Sequence, residues 1–193
     1  MNCVLGFETA AGNDAPERVW VDAPGCHRVS ATCKDELLAV MHDLTPRRGA
    51  RLVLFGAEVG ALAEAERLQL LRRVGFVPAN GGLQSSLNAW ENISLPVAYH
   101  APQKLAGALA EVHALLDDLG GVDDHLLAKL PEDMTLYERR LAAYIRALLE
   151  SPELLVVENL AAGLGPTKRK RAGRFAEVYQ ARCPGGTFVQ LGT

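Results

Sequence analysis

The sequence predicts an α/β protein whose mostly parallel sheet is interrupted by an all-helical segment. Two observations carry this prediction. Short apolar runs of strand type alternate with amphipathic helical patterns at both ends of the chain, and no convincing strand occurs between about residues 85 and 151. Such alternation is typical of parallel sheets that are covered by helices. The length of 193 residues suits one domain with a sizeable core and a subdomain.

Strand and helix signals alternate in the first 78 residues. In chain order we predict a strand at 18–21 (RVWV), a turn-rich link at 24–32 (PGCHRVSAT), a helix at 34–44, a strand at 51–56 (RLVLFG), a helix at 63–74 and a buried strand at 75–78 (GFVP). The helix at 63–74 is amphipathic, and its spacing predicts that Leu68, Leu71 and Val74 face inward.

Helical patterns fill the middle of the chain and strand patterns return after it. The predicted elements are a helix at 103–120 ended by Gly120 and Gly121, a short helix at 122–130, a helix from Thr135 ended by Pro152, a buried strand at 153–159, a helix at 167–182 and a strand at 185–193. Residues 1–78 with 153–193 are therefore expected to form an α/β core. Residues 79–152 are expected to form an inserted helical subdomain.

The helix that begins at Thr135 has the clearest start signal. Thr135 is followed three residues later by Glu138, which predicts a capping box in which each side chain bonds the other's backbone N–H. The buried stripe of this helix is predicted from the spacing of Leu141, Ile145, Leu148 and Leu149.

Composition excludes several function classes. The net charge is −3 and the pI is near 6.0, so no basic surface for nucleic acid is expected. No apolar stretch has the length of a membrane-spanning helix, and the N-terminus lacks signal-peptide character, so we expect a cytoplasmic protein. The cysteines and histidines show no ligand spacing, and no metal site is expected.

Three segments resemble the nucleotide-binding (ATPase) subunit of an ABC transporter. GFVPANGGLQSSLNAWENISLPVAYH (75–100) resembles the stretch around the glutamine loop, especially in lipid-trafficking importers of the Mla type. MTLYERRLAAYIRALLESPELLVVENLAAGL (134–164) is similar to the signature helix, the Walker B strand and the D-loop in succession. CKDELLAVMHDLTPRRGARLVLFG (33–56) is similar to the helix after the phosphate loop and the strand that follows it.

The resemblance implies a fold, a partner and a location. It implies a three-layer core of the P-loop NTPase type with an inserted signature subdomain. It also implies docking on a membrane permease at the inner face of the cell membrane, with a homodimer or a heterodimer with a second nucleotide-binding subunit as further partners. The solute is expected to be a lipid or another hydrophobic molecule.

The segment at 28–36 departs from a phosphate loop. Such a loop needs glycines, because its backbone N–H groups must approach the phosphates closely. Lys34 stands where the family lysine would be, but Asp35 replaces the hydroxyl that holds magnesium. Like charges about 4 Å apart cost roughly 1 to 4 kcal/mol. The three glycine positions hold Arg28, Ala31 and Cys33.

The remaining nucleotide positions depart in the same direction. Ala79 replaces the loop glutamine, and Leu136 and Tyr137 replace the signature glycines. These two bulky residues are expected to obstruct close approach to a partner's γ-phosphate. Glu158 can bind magnesium through water, whereas Asn159 cannot accept a proton as a general base. Thr135, Glu138, Lys34 and Asp35 are therefore vestigial nucleotide contacts.

Two positions at the end of the pattern also differ, and together the losses indicate a protein that does not hydrolyse ATP. Gly165 replaces the D-loop aspartate, and Thr193 stands where the switch histidine would be. Phosphoryl transfer depends on all of these parts together. We expect no bound cofactor, with ATP and Mg²⁺ as the alternative.

The partner-facing segment NAWENISLP (88–96) is well formed by comparison. Trp90 is read either as a buried aromatic of the subdomain core or as a partner contact. Glu91 and Asn92 are read either as local caps or as partner contacts. The basic run at 168–171 is a solvated helix face or a contact for anionic lipid headgroups.

The predicted function is therefore that of a soluble partner of a transport permease that docks without hydrolysing ATP. One alternative is an ATPase that is active in a composite site, to which this chain gives Thr135, Glu138 and Glu158 while a second subunit supplies the phosphate loop. Another alternative is a free-standing regulatory protein that has this fold.

Overall fold

The computed structural model describes residues 3–9, 17–30, 34–43, 50–121 and 125–192. Its strands are β1 (Leu5–Glu8), β2 (Arg18–Val21), β3 (Gly25–Val29), β4 (Arg51–Leu54), β5 (Ala57–Glu58), β6 (Val74–Val77), β7 (Leu154–Glu158) and β8 (Thr187–Leu191). Its α-helices are α1 (Lys34–Asp43), α2 (Glu64–Leu71), α3 (Ala89–His100), α4 (Leu105–Asp118), α5 (Leu136–Leu148), α6 (Pro166–Ala172) and α7 (Arg174–Arg182).

The predicted parallel sheet is present, with the strand order β3-β8-β7-β6. All of its strand pairs are parallel. The central strand β7 is covered on both faces, and residues 154–157 have no exposed surface. This burial explains why the sequence shows a continuous apolar run here rather than an alternating one.

A second, antiparallel sheet was not predicted from the sequence. Its strand order is β2-β1-β4-β5. Leu5 and Phe7 of β1 are fully buried, and Gly6 lies directly under the Trp20 ring, where a Cβ atom would come within 2.8 Å of ring carbons. The fold is therefore α/β with a mostly parallel sheet, to which this antiparallel sheet is added.

The two faces of the parallel sheet border two different hydrophobic cores. Leu154 and Val156 of β7 pack with α1 and the antiparallel sheet. Leu155 and Val157 point the other way and pack with α5 and α7. Alternation of side chains along a strand produces this division. The division determines which residues can share a site.

Three predictions about local structure were wrong. Residues 25–29, within the predicted link, form the edge strand β3, which pairs with β8. In α2, Leu68 is 56% exposed and not inward-facing. Val74 packs against the core as predicted, but it belongs to β6 and not to the helix. The predicted helix at 167–182 is divided into α6 and α7 at Gly173.

The middle of the chain is helical, as predicted, and the described residues between 78 and 153 contain no strand. Gly120 and Gly121 end α4 with φ values of 95° and 67°, which glycine adopts without strain. Of the predicted short helix at 122–130, the structure shows a 3₁₀ turn at Leu126–Ala128, while 122–124 lie outside the described residues. The division at residues 79 and 152 into core and subdomain stays a prediction.

Candidate functional site at the carboxyl end of the parallel sheet

The carboxylate of Glu158, the last residue of β7, accepts a hydrogen bond from a backbone N–H of the protein itself. Its Oε2 atom accepts the N–H of Ala79 at 2.9 Å. Ala79 follows β6, the neighbouring parallel strand, and it is the residue that the resemblance aligns with the loop glutamine. The acid that the sequence offers as a magnesium ligand therefore accepts a hydrogen bond from the backbone of this loop.

Asn159 turns the chain sharply after β7. Its φ is 44°, in the left-handed region that asparagine tolerates better than most residues. Its backbone N–H donates to the carbonyl of Leu191 on β8 at 2.7 Å. The side-chain amide approaches Glu158 Oε1 only at 3.5 Å. Asn159 thus has a clear structural role, and its amide offers no base for activating water.

Arg140 of α5 holds this junction from the other side. The side chain is 4% exposed. Nε donates to the carbonyl of Ala79 at 2.6 Å, and Nη1 donates to the carbonyls of Leu160 at 3.0 Å and Ala162 at 2.6 Å. Burial lowers the pKa of the guanidinium, and the charge of Glu158 opposes this shift. Arg140 therefore joins the loops after β6 and β7 to the signature-like helix.

The two interactions together fix Ala79 at both of its polar backbone groups. We call the set Glu158, Ala79 and Arg140 the backbone clamp. The N–H is held by a carboxylate and the C=O by a guanidinium. Hydrogen bonds with a charged partner contribute about 1.5 to 3 kcal/mol each, so the clamp strongly favours the arrangement seen here.

Sequence reasoning missed Arg140, although a signal was available. Arg140 lies one helical turn before Tyr144 and one turn after Tyr137, and both tyrosines are buried. It therefore falls on the inward stripe of α5. Arginine is almost never fully buried without partners, so its position on this stripe indicates buried acceptors nearby.

The predicted capping box at the start of α5 is present. The Thr135 side chain accepts the Glu138 N–H at 3.3 Å, and Glu138 Oε2 accepts the Thr135 N–H at 2.7 Å. Lys129 Nζ also lies 2.8 Å from Glu138 Oε1. Burial alone would raise the pKa of Glu138, but the bonds from Lys129 and Thr135 outweigh it and the pKa is lowered. These contacts fix the helix start and need no nucleotide.

The two residues at the signature-glycine positions behave differently from each other. Tyr137 is 2% exposed and turns inward toward Phe175, with ring centroids 6.4 Å apart. Leu136 is half-buried and lies against Gly163, where a Cβ atom would be 3.2 Å from its Cδ2. The expectation that both side chains obstruct the helix start is therefore corrected for Tyr137.

The phosphate-loop candidates are only partly described. Lys34 and Asp35 are the first two residues of α1, and their side chains lie outside the described part of the structure, as do Ala31, Cys33 and Thr193. Arg28 belongs to β3, so it is not a loop residue as the sequence comparison suggested. Between the end of β3 and Lys34 only residues 30–33 remain, which is short for a glycine-rich loop.

The three predicted partner contacts have separate roles. Asn92 is fully buried. Its Oδ1 accepts the Gln84 N–H at 2.7 Å, and its Nδ2 donates to the carbonyl of Leu87 at 2.8 Å. Glu91 is exposed and completes a capping box with Asn88. Trp90 is partly buried against the helical core. The contacts of Asn92 are local and position the loop before α3, and a partner contact for this segment stays a prediction.

A groove lies between α2, β6, α3 and α5, and sequence reasoning did not locate it. We call it the α2–α3 groove, and its cavity volume is about 210 Å³. Leu71, Phe76, Pro96 and Ala147 supply apolar lining. The polar groups of the lining come from Arg72, His100, Arg146 and Glu150. On adjoining helix surfaces, Tyr99 is 82% exposed, Leu68 56% and Leu95 44%.

Comparison with known proteins agrees with this fold. No family model matches the chain. The lipoprotein-releasing system ATP-binding protein LolD of Shewanella denitrificans is 29% identical over 131 residues, covering 67% of this chain and 55% of LolD. The methionine import ATP-binding protein MetN of Rhizobium meliloti is 27% identical over 137 residues, covering 71% of this chain and 37% of MetN. The chain thus spans about half the length of the first relative and less of the second.

Solved structures show the same architecture at low sequence identity. CbiO1 of Clostridium perfringens, part of an ABC transporter complex, superposes with a TM-score of 0.72 and 12% identity over 100% of this chain and 79% of its own. The dimeric bacterial ABC transporter cassette MJ0796 gives 0.72 and 14% over 97% and 87%. The chain has the fold of the ABC ATPases and is similar in sequence to the ATP-binding subunits of ABC transporters.

Proposed function

We propose that this chain is the cytoplasmic partner of a membrane permease and that it docks without hydrolysing ATP. The observation that carries the proposal is the backbone clamp, in which Glu158 bonds the Ala79 N–H at 2.9 Å. In the same place Asn159 supplies an amide where a general base would be needed. The acidic group at the end of β7 is thereby used for folding.

The backbone clamp also indicates how the chain would act on its partner, because it holds the loop after β6. A subunit driven by ATP must let the loop after β6 respond to the nucleotide, because phosphoryl transfer needs the metal and water contacts that this loop supplies. Here that loop is hydrogen-bonded to Glu158 and Arg140 of the chain itself. We therefore expect the loop to keep this conformation and to present a constant surface to the partner.

The α2–α3 groove is the surface that we assign to the permease. Its exposed apolar neighbours Tyr99, Leu68 and Leu95 suit a helical segment of a partner, since tyrosine gives large contact area at low entropic cost. Arg72 and Arg146 add donors for an acidic or helix-C-terminal group. A short cytoplasmic helix of the permease is the occupant that this combination fits.

The likeness to LolD, a lipoprotein-releasing system protein, and the Mla-like stretch at 75–100 support a lipid or another hydrophobic solute as the cargo. Docking on a permease places the chain at the inner face of the cell membrane. Among the described residues no helix has the length and apolarity needed to cross a bilayer.

Replacing Tyr99 with Asp is expected to weaken the complex with the permease at least tenfold, because a charge would replace the most exposed apolar side chain beside the groove. The measurement is recovery of an integral membrane protein, identified by mass spectrometry, on the tagged full chain from detergent extracts of native cells. Leu109→Asp is the matched control, since Leu109 is 44% exposed on α4, away from the groove lining. Equal recovery with Tyr99→Asp and the unaltered chain would contradict the assignment.

A composite ATPase site is the second candidate, and the orientation of Tyr137 favours it. Because that ring is buried, the start of α5 keeps an exposed Thr135 that a partner's nucleotide can approach. In this case the chain would raise the ATPase rate of a second, catalytically complete subunit, and Thr135→Val would reduce the stimulation. No change in that subunit's rate on adding the chain would exclude this candidate.

A further inference from the structure

Strand β2 lies at the edge of the antiparallel sheet, and its outer side is open. In the order β2-β1-β4-β5 it pairs with β1, and no other described strand pairs with it. Such an edge presents unpaired N–H and C=O groups that can pair with a strand of another chain. Natural edges are often protected by lysine, proline or a bulge. The sequence RVWV (18–21) contains neither residue, and its register with β1 is continuous.

The hydrogen bonds between β1 and β2 show which backbone groups of β2 point outward. The carbonyls of Glu17 and Val21 accept N–H groups from the β1 side. Successive residues of an antiparallel strand alternate between its two sides, so Arg18 and Trp20 direct their backbone N–H and C=O groups away from β1. The free edge of β2 therefore offers the donors and acceptors of these two residues to a further strand.

The side chain of Trp20 is exposed beside this edge and is held in a fixed position. Trp20 is 43% exposed, and its register neighbour on β1 is Gly6. A Cβ atom at Gly6 would lie 2.8 Å from two carbons of the Trp20 ring, so the ring lies across the backbone of β1. An aromatic side chain that is oriented before binding gives a large contact area at a low entropic cost.

The charged side chains around Trp20 are balanced in sign. Nε and Nη2 of Arg18 donate to Glu8 Oε1 at 3.0 and 2.8 Å, and Arg51 Nε donates to Glu58 Oε2 at 2.8 Å. In the described part of the structure these bonds do not use Nη1 of Arg18 or Oε2 of Glu8. A surface with equal numbers of cations and carboxylates is complementary to itself, so a second copy of this chain suits it better than a strongly acidic or basic partner does.

We propose that two copies of the chain associate through their β2 strands, which pair antiparallel across a two-fold axis at Val19. In this register Arg18 of each copy lies opposite Trp20 of the other, and each such pair exchanges two backbone hydrogen bonds. On the outer face the Arg18 guanidinium then lies beside the Trp20 ring of the second copy, where a cation–π contact is favourable. On the inner face the buried Val19 and Val21 extend the apolar layer across the axis.

This interface is separate from the surface that we assign to the permease. Arg18 and Trp20 belong to the antiparallel sheet, and neither lines the α2–α3 groove. The interface also differs from a dimer that holds nucleotide between its subunits, because pairing of the β2 edges needs no nucleotide. The inference therefore goes beyond the proposed docking function and stands or fails independently of it.

The test is sedimentation velocity of the purified full chain without nucleotide, over a range of protein concentrations. We expect the mass to rise with concentration toward twice that of one chain. Arg18→Pro removes an N–H that points away from β1, which an edge strand tolerates. Arg18→Ala is the matched control, because it removes the same side chain but keeps this N–H. The proline variant should raise the dissociation constant of the dimer at least tenfold more than the alanine variant does.

Trp20→Ser provides a second variant that does not depend on proline, and it should also weaken the dimer at least tenfold. Tyr99→Asp, which alters the surface beside the α2–α3 groove, should leave the dimer unchanged. Thermal melts verify that each variant is folded.

Several results would overturn the proposed interface. They are a monomer at every concentration up to the solubility limit, a dimer that forms only with Mg²⁺-ATP, and a dimer that Trp20→Ser leaves intact. Equal weakening by Arg18→Pro and Arg18→Ala would also overturn it, because the backbone of β2 would then have no part in the contact. Loss of the dimer in Tyr99→Asp alone would place the contact at the α2–α3 groove instead.

Discussion

Replacing Arg140 with Met is expected to lower the free energy of unfolding by roughly 2 to 5 kcal/mol. The side chain is buried and supplies the donors for the carbonyls of Ala79, Leu160 and Ala162. Methionine fills much of the same volume but donates nothing. The carbonyl oxygens would then lose their charged partner inside the protein, and the carboxylate of Glu158 would lose the nearby positive charge.

Denaturant unfolding monitored by circular dichroism measures this loss. Arg139→Met is the matched control, since it removes the same charge from the adjacent residue of α5. The Nε atom of Arg139 is buried without a hydrogen-bond partner, so its loss should cost less than about 1 kcal/mol. A similar loss in both variants would show that charge alone, and not the clamp, stabilises this junction.

Replacing Gly81 with Ala is expected to cost roughly 2 to 4 kcal/mol of stability. Gly81 has a φ of 92°, which residues with a Cβ atom rarely adopt. An added Cβ would also lie 2.7 Å from the carbonyl oxygen of Arg139 and 2.8 Å from its carbon. These are backbone atoms of α5, so the clash can be relieved only by moving the loop after β6 away from the helix that carries Arg140.

Gly107→Ala provides the comparison for that substitution. Gly107 lies inside α4, and a Cβ atom there would meet nothing within 4 Å. Alanine at this position should stabilise the protein by about 0.5 to 1 kcal/mol. Thermal melts of the two variants should therefore shift in opposite directions. A melting temperature unchanged by Gly81→Ala would mean that the loop after β6 is not held as tightly as the clamp requires.

The elements that could be predicted from the sequence are those whose local pattern and tertiary environment agree. The strand at 154–158 is apolar throughout because both of its faces are covered. Helix α5 is preceded by a capping box and has a regular buried stripe. The glycines at 120 and 121 end α4 for reasons of backbone geometry alone. The sequence signal of each of these features lies in residues that are close together in the chain.

The features that were missed depend on distant partners. The edge strand β3 has alternating burial and carries polar residues, so its sequence resembles a link until β8 pairs with it. Tyr137 turns inward because Phe175, on another helix, provides a place to pack. Leu68 is exposed in the structure. Helical periodicity predicted that it faces inward, because periodicity shows that a helix has an apolar face but does not show whether another element covers that face.

The same limit applies to the candidate site. The sequence shows which residues stand at the nucleotide positions, and that was enough to predict the loss of a general base at Asn159. It does not show that Glu158 and Arg140 form hydrogen bonds to the N–H and the C=O of one residue, since Ala79 is 79 residues away from Glu158 and 61 from Arg140. Only the folded chain brings these groups together.

Steady-state hydrolysis of Mg²⁺-ATP by the purified chain, measured beside its Glu158→Gln variant, tests most directly whether this carboxylate serves folding or chemistry. The two side chains have nearly the same shape, and glutamine can still accept the Ala79 N–H. We predict that both proteins release phosphate at the same background rate. Turnover by the unaltered chain that disappears in Glu158→Gln and in Lys34→Ala would contradict the proposal and show that the chain is itself an ATPase.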